Sequence, residues 1–276
     1  MLGVFREELY SPSRVDDDAL ILHLTAEAVI RQGYPVQLLS PEELAPETQP
    51  DMTFGMCEGP ACLRILEQWE WMGYAVVNSP QAVHNTHRHR MLSLLNRVPI
   101  PFPKTLLIQT TEDVNGHFDI EKGVWVKRGD VHSTHPEDVK LHFDRFSIEK
   151  ALRGLHARWI KQAVLQEHMQ GDLVKFYGVL PRKWFRFFYH KPDEAQGYSF
   201  SPQQMQKTAE LAASRLGLDV YGGDFVVTDG GHYLIDVNSW PSFAICREEA
   251  AEQIASLLIQ RYQRWVPRQS LHWRSA

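Results

Sequence analysis

Cysteine is scarce in this chain of 276 residues: there are three, Cys57, Cys62 and Cys246. An odd count without paired spacing argues against a disulfide framework, and the C-x4-C of Cys57 and Cys62 is a poor zinc signal. No stretch approaches the roughly 18 apolar residues that a membrane-spanning helix needs. The start, MLGVFREELYS, lacks the cationic and long apolar segments of a secretory signal. Neither sign of charge dominates. The net value of −5 argues against a whole-protein field for nucleic acid or a membrane surface. Internal repeats and low-complexity tracts are also missing. What is there is a chain with 43% hydrophobic residues, enough to bury a real core in one large or two modest domains. Together these features predict a soluble protein of a reducing compartment, the cytoplasm. The oligomeric state is left open.

The first third alternates between strand and helix. LGVF, YPVQLL, DMTFGM and YAVVNS are short apolar strands. Between them lie DDDALILHLTAEAVIRQG, with acids in its first turn and a glycine stop, and GPACLRILEQWEWMG. Strands alternating with helices imply βαβ units and a mostly parallel sheet. A helix is then predicted over SPQAVHNTHRHRMLSLLNR, with Pro80 near its first turn. The three prolines of VPIPFP stop it and mark a boundary. The middle piece carries strands KTLLIQ and GVWVKRGD, a helical stretch from about Pro136 to Ala157, and strand AVLQEHM. The last third has strand-like DLVKFYGVL and KWFRFFYH. A helix follows, with Ser201 as N-cap and Pro202 at its first position. YGGDFVVTD and HYLIDVN, joined at two glycines, read as a hairpin. REEAAEQIASLLIQRYQRW is a closing helix, and VPRQSLHWRSA reads as a loose tail.

The hairpin carries the most chemistry. Asp236 and Asn238 are two apart on one strand and point to the same side. Asp224 stands twelve residues before Asp236 on the preceding strand. Two hairpin strands lie about 5 Å apart, so Asp224 can face the same point. Two carboxylates and an amide oxygen suit Mg²⁺, which prefers oxygen ligands and keeps waters or substrate phosphates in its shell. Turn chemistry is the plainer reading of an Asp or Asn near a hairpin end. It explains Asn238 alone better than it explains the trio.

The motif YGGDFVVTDGGHYLIDVNSWPSF and the order of elements resemble the C-terminal lobe of ATP-grasp enzymes. The resemblance extends over most of the chain, from Leu2 to about Trp265. It implies an α/β fold with α+β lobes, in which a βαβ domain precedes two subdomains that clasp ATP. The expected units are 1–97, 98–168 and 169–276, the last with the metal site. The resemblance assigns Asp224, Asp236 and Asn238 to Mg²⁺. It places Arg88, where most members carry Lys, and Lys127 of GVWVKRG on the nucleotide phosphates. VLQEHMQGD matches the strand that meets the adenine edge through Gln166, Glu167, His168 and Met169, and Asp172 is expected to hold the ribose. Beside these readings stand plainer ones: an Arg on a helix is more often a solvated face, and Gln166-Glu167 can be a mere strand end. A lysine after the apolar run VWV is harder to dismiss, because it needs a partner.

The chain departs from the family in its phosphate-covering segment. That loop is commonly glycine-rich so that N–H groups can approach phosphate. Here it reads KRGDVHSTHPEDV. Within the superfamily, DVN, KRGDVHSTH and LVKFYGV resemble inositol tris/tetrakisphosphate kinases. That resemblance puts Lys175 on a transferred or acceptor phosphate and His132 beside the acceptor. RimK-type ligases share the scaffold but often carry Arg where Lys175 stands and Glu where Asp236 stands. Basic clusters in HNTHRHR and KRGDVHSTH fit an anionic small-molecule substrate, although ATP accounts for part of them. The expected function is therefore an ATP- and Mg²⁺-dependent kinase acting on a phosphorylated small molecule. A carboxylate–amine ligase working through an acyl phosphate is the alternative. A non-catalytic nucleotide-binding regulator is a third reading, opposed by the complete metal trio.

Overall fold

The structure is a computed structural model that describes residues 1–48, 50–114 and 116–272. Strands β1 (Leu2–Val4), β2 (Gln37–Leu39), β3 (Met52–Gly55) and β4 (Ala75–Val77) form a parallel sheet in the order β2-β1-β3-β4. Parallel neighbours require crossovers. These are helix α1 (Val15–Arg31), and helix α2 (Pro60–Trp71) between β3 and β4. Asp16, Asp17 and Asp18 sit in the first turn of α1, at the positive end of its dipole.

The predicted single helix at 79–97 is two helices, α3 (Pro80–Asn85) and α4 (Arg88–Leu95). No proline or glycine marks the break. The Thr86 hydroxyl instead donates to the Val83 carbonyl at 2.7 Å and contacts His132 Nε2 at 3.0 Å. The chain turns there, and Arg88 becomes the first residue of α4 with only 4% exposure.

The second sheet is antiparallel, with β5 (Thr105–Gln109), β6 (Val124–Arg128), β7 (Val139–His142) and β8 (Gln162–Glu167) in the order β5-β8-β6-β7. The helix expected over 136–157 is a strand followed by a helix. Val139–His142 pairs with β6, and helix α5 (Arg145–Ala157) starts only after Asp144 caps the Ser147 N–H. Ile148, Leu152 and Leu155 pack from α5 onto Val124, Val126 and Leu165 in a core confined to this sheet.

The third sheet contains β9 (Asp172–Val179), β10 (Trp184–Tyr189), β11 (Val220–Thr228) and β12 (Gly231–Ser239), in the order β10-β9-β11-β12 and antiparallel throughout. Helix α6 (Pro202–Leu216), N-capped by Ser201, covers one face through Met205, Ala209, Ala212 and Leu216. The closing helix α7 runs from Arg247 to His272, so the backbone at 266–272 continues a helix where a loose tail was expected. The last four residues lie outside the described residues. Helix α7 packs on α1, and the two share one core with β9 and β11. Phe54 of the first sheet stacks on Trp240 after the third, with centroids 6.0 Å apart. Among the described residues no helix is long and apolar enough to cross a membrane.

Candidate active site

The hairpin β11–β12 sets the centre of the site. Asp224 pairs directly with Asp236, and Gly222 with Asn238. Directly paired residues share a face, and so do residues two apart, so all three predicted metal ligands lie on one side of the sheet. A bulge between Asp224 and Phe225 leaves Ile235 extra on β12. A side chain at Gly223 would stand 2.2 Å from the Asp236 carbonyl oxygen, so close strand approach requires glycine there. Lys175 pairs with Asp224 on its other side. Its Nζ donates to Asp224 Oδ1 at 2.8 Å.

Asp236 accepts from Arg88 Nη2 at 3.0 Å and from the Val237 N–H at 3.0 Å. Burial works to raise its pKa, but Arg88 and Lys127 outweigh burial and hold it below the usual carboxylate value. The oxygen donors fit a hard divalent cation, and the charges of Asp224 and Asp236 are met here by Lys175 and Arg88.

One cleft, of about 280 Å³, opens between the second and third sheets. Its lining includes Arg88, Lys127, Gln166, Asp224 and Asp236, with Glu167, His168 and Met169 on the strand edge. Trp125, Leu173, Val226 and Ile235 give it apolar walls. Lys127 is 6% exposed, and among the described residues no carboxylate reaches its ammonium. It donates instead to Gln166 Oε1 at 2.7 Å and to the Ile235 carbonyl at 3.5 Å. Burial lowers its pKa to about 8, against opposing fields from Asp236 and Asp224. A buried ammonium with only neutral partners is a site for an anion. Gln166 is fixed in turn by donating to Thr105 Oγ1 at 3.1 Å. The backbone N–H groups of Glu167 and His168 are spent on Lys104 and Gly123, whereas no bond from Met169 N–H is found among the described residues.

Asp172 does not belong to this cleft. It opens β9, is 6% exposed, and turns toward the loop after β10. Its carboxylate accepts the backbone N–H groups of Gln196 and Gly197 at 2.7 and 2.9 Å. Those bonds employ it as a loop anchor, outside the cleft lined by Lys127 and Gln166.

A second cleft, of about 390 Å³, shares Asp224 with the first. It contains the expected Lys175, His132 and Asn238. His132 is half-buried, and desolvation pushes its pKa down to about 3, so it is neutral at physiological pH. The remaining wall comes from the first sheet and α1 and was not anticipated. Arg6 follows β1, Asp18 lies on α1, and Glu58 follows β3. The signal for it was the parallel topology, since ligands gather beyond the carboxyl ends of parallel strands. Arg6 donates to Asp18 Oδ2 at 3.0 Å and lies 3.4 Å from Glu58 Oε1. The cleft therefore has three cations, Arg6, Arg14 and Lys175, against three carboxylates, Asp18, Glu58 and Asp224.

The glycine-poor segment 129–138 folds around one buried carboxylate. Asp138 is fully enclosed. It accepts the Thr134 and His135 N–H groups at 2.8 and 2.9 Å, Arg128 Nη1 at 3.0 Å and Arg158 Nη2 at 2.5 Å. Arg128 also grips Asp130 through two bonds, at 2.7 and 2.9 Å. A side-chain hub thus shapes this glycine-poor segment.

The layout is a parallel domain followed by two antiparallel lobes, with a buried lysine between them and a carboxylate pair beneath. Comparison with known structures agrees. A D-alanine–D-alanine ligase from Bacillus anthracis, complexed with ATP, superposes with a TM-score of 0.73 over 95% of this chain and 97% of that one, at 13% identity. A RimK domain ATP-grasp protein from Sphaerobacter thermophilus gives 0.70 over 94% and 100%, at 19% identity. The chain has the ATP-grasp fold. In sequence, it is 27% identical over 209 residues to a probable alpha-L-glutamate ligase of Aliivibrio fischeri, covering 71% of this chain and 69% of that protein. No family model matches the chain. These similar proteins give the expected inositol phosphate kinase no support and favour the ligase alternative.

Proposed function

We propose that the chain is an ATP- and Mg²⁺-dependent carboxylate–amine ligase working through an acyl phosphate. The observation that carries this reading is the charge balance of the second cleft. A polyphosphorylated acceptor would require surplus cations, yet the three cations Arg6, Arg14 and Lys175 are matched in number by the three carboxylates Asp18, Glu58 and Asp224. Such a wall suits a carboxylate and an amine presented together. The similarity to alpha-L-glutamate ligases supports the same reading.

In this scheme Gln166, Glu167, His168 and Met169 form the adenine edge. Arg88 and Lys127 hold the phosphates, each bond between a charged donor and phosphate contributing about 1.5–3 kcal/mol. Asp224, Asp236 and Asn238 would hold Mg²⁺, which when bound neutralises charge on the transferring phosphoryl group. Lys175 orients the substrate carboxylate beside Asp224. The carboxylate oxygen takes the terminal phosphoryl group and ADP leaves. The amine then attacks the acyl carbon, the carbon–nitrogen bond forms, and phosphate departs. Catalysis is mostly positioning and electrostatics.

The test is a product balance. Amino acids and phosphorylated polyols are each supplied with Mg²⁺-ATP, and ADP, free phosphate and product mass are read together. The ligase gives one free phosphate per ADP and per amide, and only with an amine present. Label from the terminal phosphate carried on a polyol would overturn this reading and restore the kinase.

A further inference from the structure

Asp18 and Glu58 both keep a buried, unpartnered oxygen in the second cleft among the described residues, but Asp18 is already held through Oδ2 by Arg6 and Ser11, which leaves Glu58 with chemistry to use. It stands between β3 and α2, at the carboxyl edge of the parallel sheet, and its side chain is 6% exposed. The backbone there is fixed, because the Glu58 and Gly59 N–H groups both donate to the Glu7 carboxylate, each at 3.0 Å. Of its two oxygens, Oε1 lies 3.4 Å from Arg6 Nη2, and Oε2 is buried without a hydrogen-bond partner among the described residues. Arg6 cannot satisfy it fully. The same guanidinium serves Asp18 and the carbonyls of Met56, Ser239 and Trp240. An enclosed carboxylate oxygen left unpartnered is costly, and a native site that keeps one calls for a ligand donor.

Resting on the ligase reading, we propose that Glu58 binds the incoming ammonium through its free oxygen and takes the proton that makes the amine nucleophilic. The proton balance is complete. The substrate ammonium gives one proton to Glu58 Oε2 and becomes a neutral amine. Its lone pair attacks the acyl phosphate carbon, and the carbon–oxygen bond to phosphate breaks. The second proton lost from nitrogen leaves with the phosphate, and Glu58 returns its proton to solvent. Burial, with Glu7 and Asp18 nearby, pushes the Glu58 pKa up to about 7 against the opposing fields of Arg6 and Arg88, which suits a base at neutral pH. Lys175 and Asp224 lie in the same cleft, so the base and the acyl centre share one space.

The experiment uses the full chain with Mg²⁺-ATP and L-glutamate as the carboxylate probe. Two nucleophiles are compared: L-glutamate itself, an ammonium at neutral pH, and hydroxylamine, which is neutral there and needs no base. Glu58→Gln is expected to lose roughly a hundredfold or more in amide formation. It should keep hydroxamate formation and ADP release with hydroxylamine within a few fold. Glu58→Asp should recover part of the amide rate. Equal loss in both arms would make Glu58 a mere partner of Arg6 and overturn the assignment, as would loss in neither. Failure of the unmodified protein to release ADP in either arm would overturn the ligase reading itself, and this inference with it.

Discussion

Lys127 offers a test that needs no substrate beyond ATP. Its ammonium is enclosed and hydrogen-bonded to Gln166 and a carbonyl, with no carboxylate in contact among the described residues. Its pKa falls from an ordinary 10.5 to about 8, with burial as the main cause. At about 1.4 kcal/mol per pH unit, keeping that charge in the nucleotide-free fold costs about 3 kcal/mol. Lys127→Met keeps the length and removes the charge. It also leaves Gln166 Oε1 without its partner, a loss of about 1–3 kcal/mol. Near pH 7 the two nearly offset, and the variant without nucleotide should be as stable as the original or more stable by up to about 2 kcal/mol, at about 2–4 °C per kcal/mol. The sign then follows from linkage. Between about pH 8 and 10.5 the unfolded lysine binds more protons than the folded one, so the original protein gains stability as pH rises. Lys127→Met has no such gain. The difference in melting temperature should therefore shrink and reverse across that window, other groups cancelling between the pair. Saturating Mg²⁺-ATP should stabilise the original by about 2.7 kcal/mol at 100 times its dissociation constant, and the variant by less. A difference that stays constant from pH 7 to 10.5 would refute the view of Lys127 as an uncompensated buried charge.

Two further substitutions probe the centre and the covering segment. Asp236→Asn keeps shape and removes charge, so far-UV circular dichroism should change little while ATP-dependent turnover is abolished; a fully active variant would rule Asp236 out as a metal ligand. Asp138→Ala strands two N–H groups and releases Arg128 and Arg158. It should cost about 3 kcal/mol of stability and raise the KM for ATP, and a thermally unchanged variant would show that the hub does not hold the segment.

The convergence of Asp224, Asp236 and Asn238 on one face was legible because hairpin register and period-two alternation are local rules, and the three lie within fifteen residues of one another. Lys127 was legible for a similar reason, standing at the end of an apolar run. Elsewhere local rules misled. Val139–His142 continues into a helical pattern, and only its pairing with β6 makes it a strand. The break before Arg88 has no breaker residue, since Thr86 makes it with a side-chain bond to its own helix and a contact to His132. Asp172 follows β8 in sequence, but its side chain turns away from the cleft to the loop at 196–197. Arg6, Asp18 and Glu58 come from three separated segments, and only the parallel crossovers bring them together.

The two clefts are joined by one line of charge, and this limits how independently they can be altered. Lys175, Asp224 and Asp236 are direct neighbours across β9, β11 and β12, and Arg88 extends the line from α4. Asp224 lines both clefts. Neutralising it would leave Lys175 without its partner in the second cleft and remove one of the fields that keep Lys127 charged in the first. Groups that share a network of this kind couple by about 0.5–3 kcal/mol. Changes at Asp224 should therefore combine non-additively with changes at either lysine. Asp138, whose ion-pair partners Arg128 and Arg158 lie off this line, should combine with Asp224 additively.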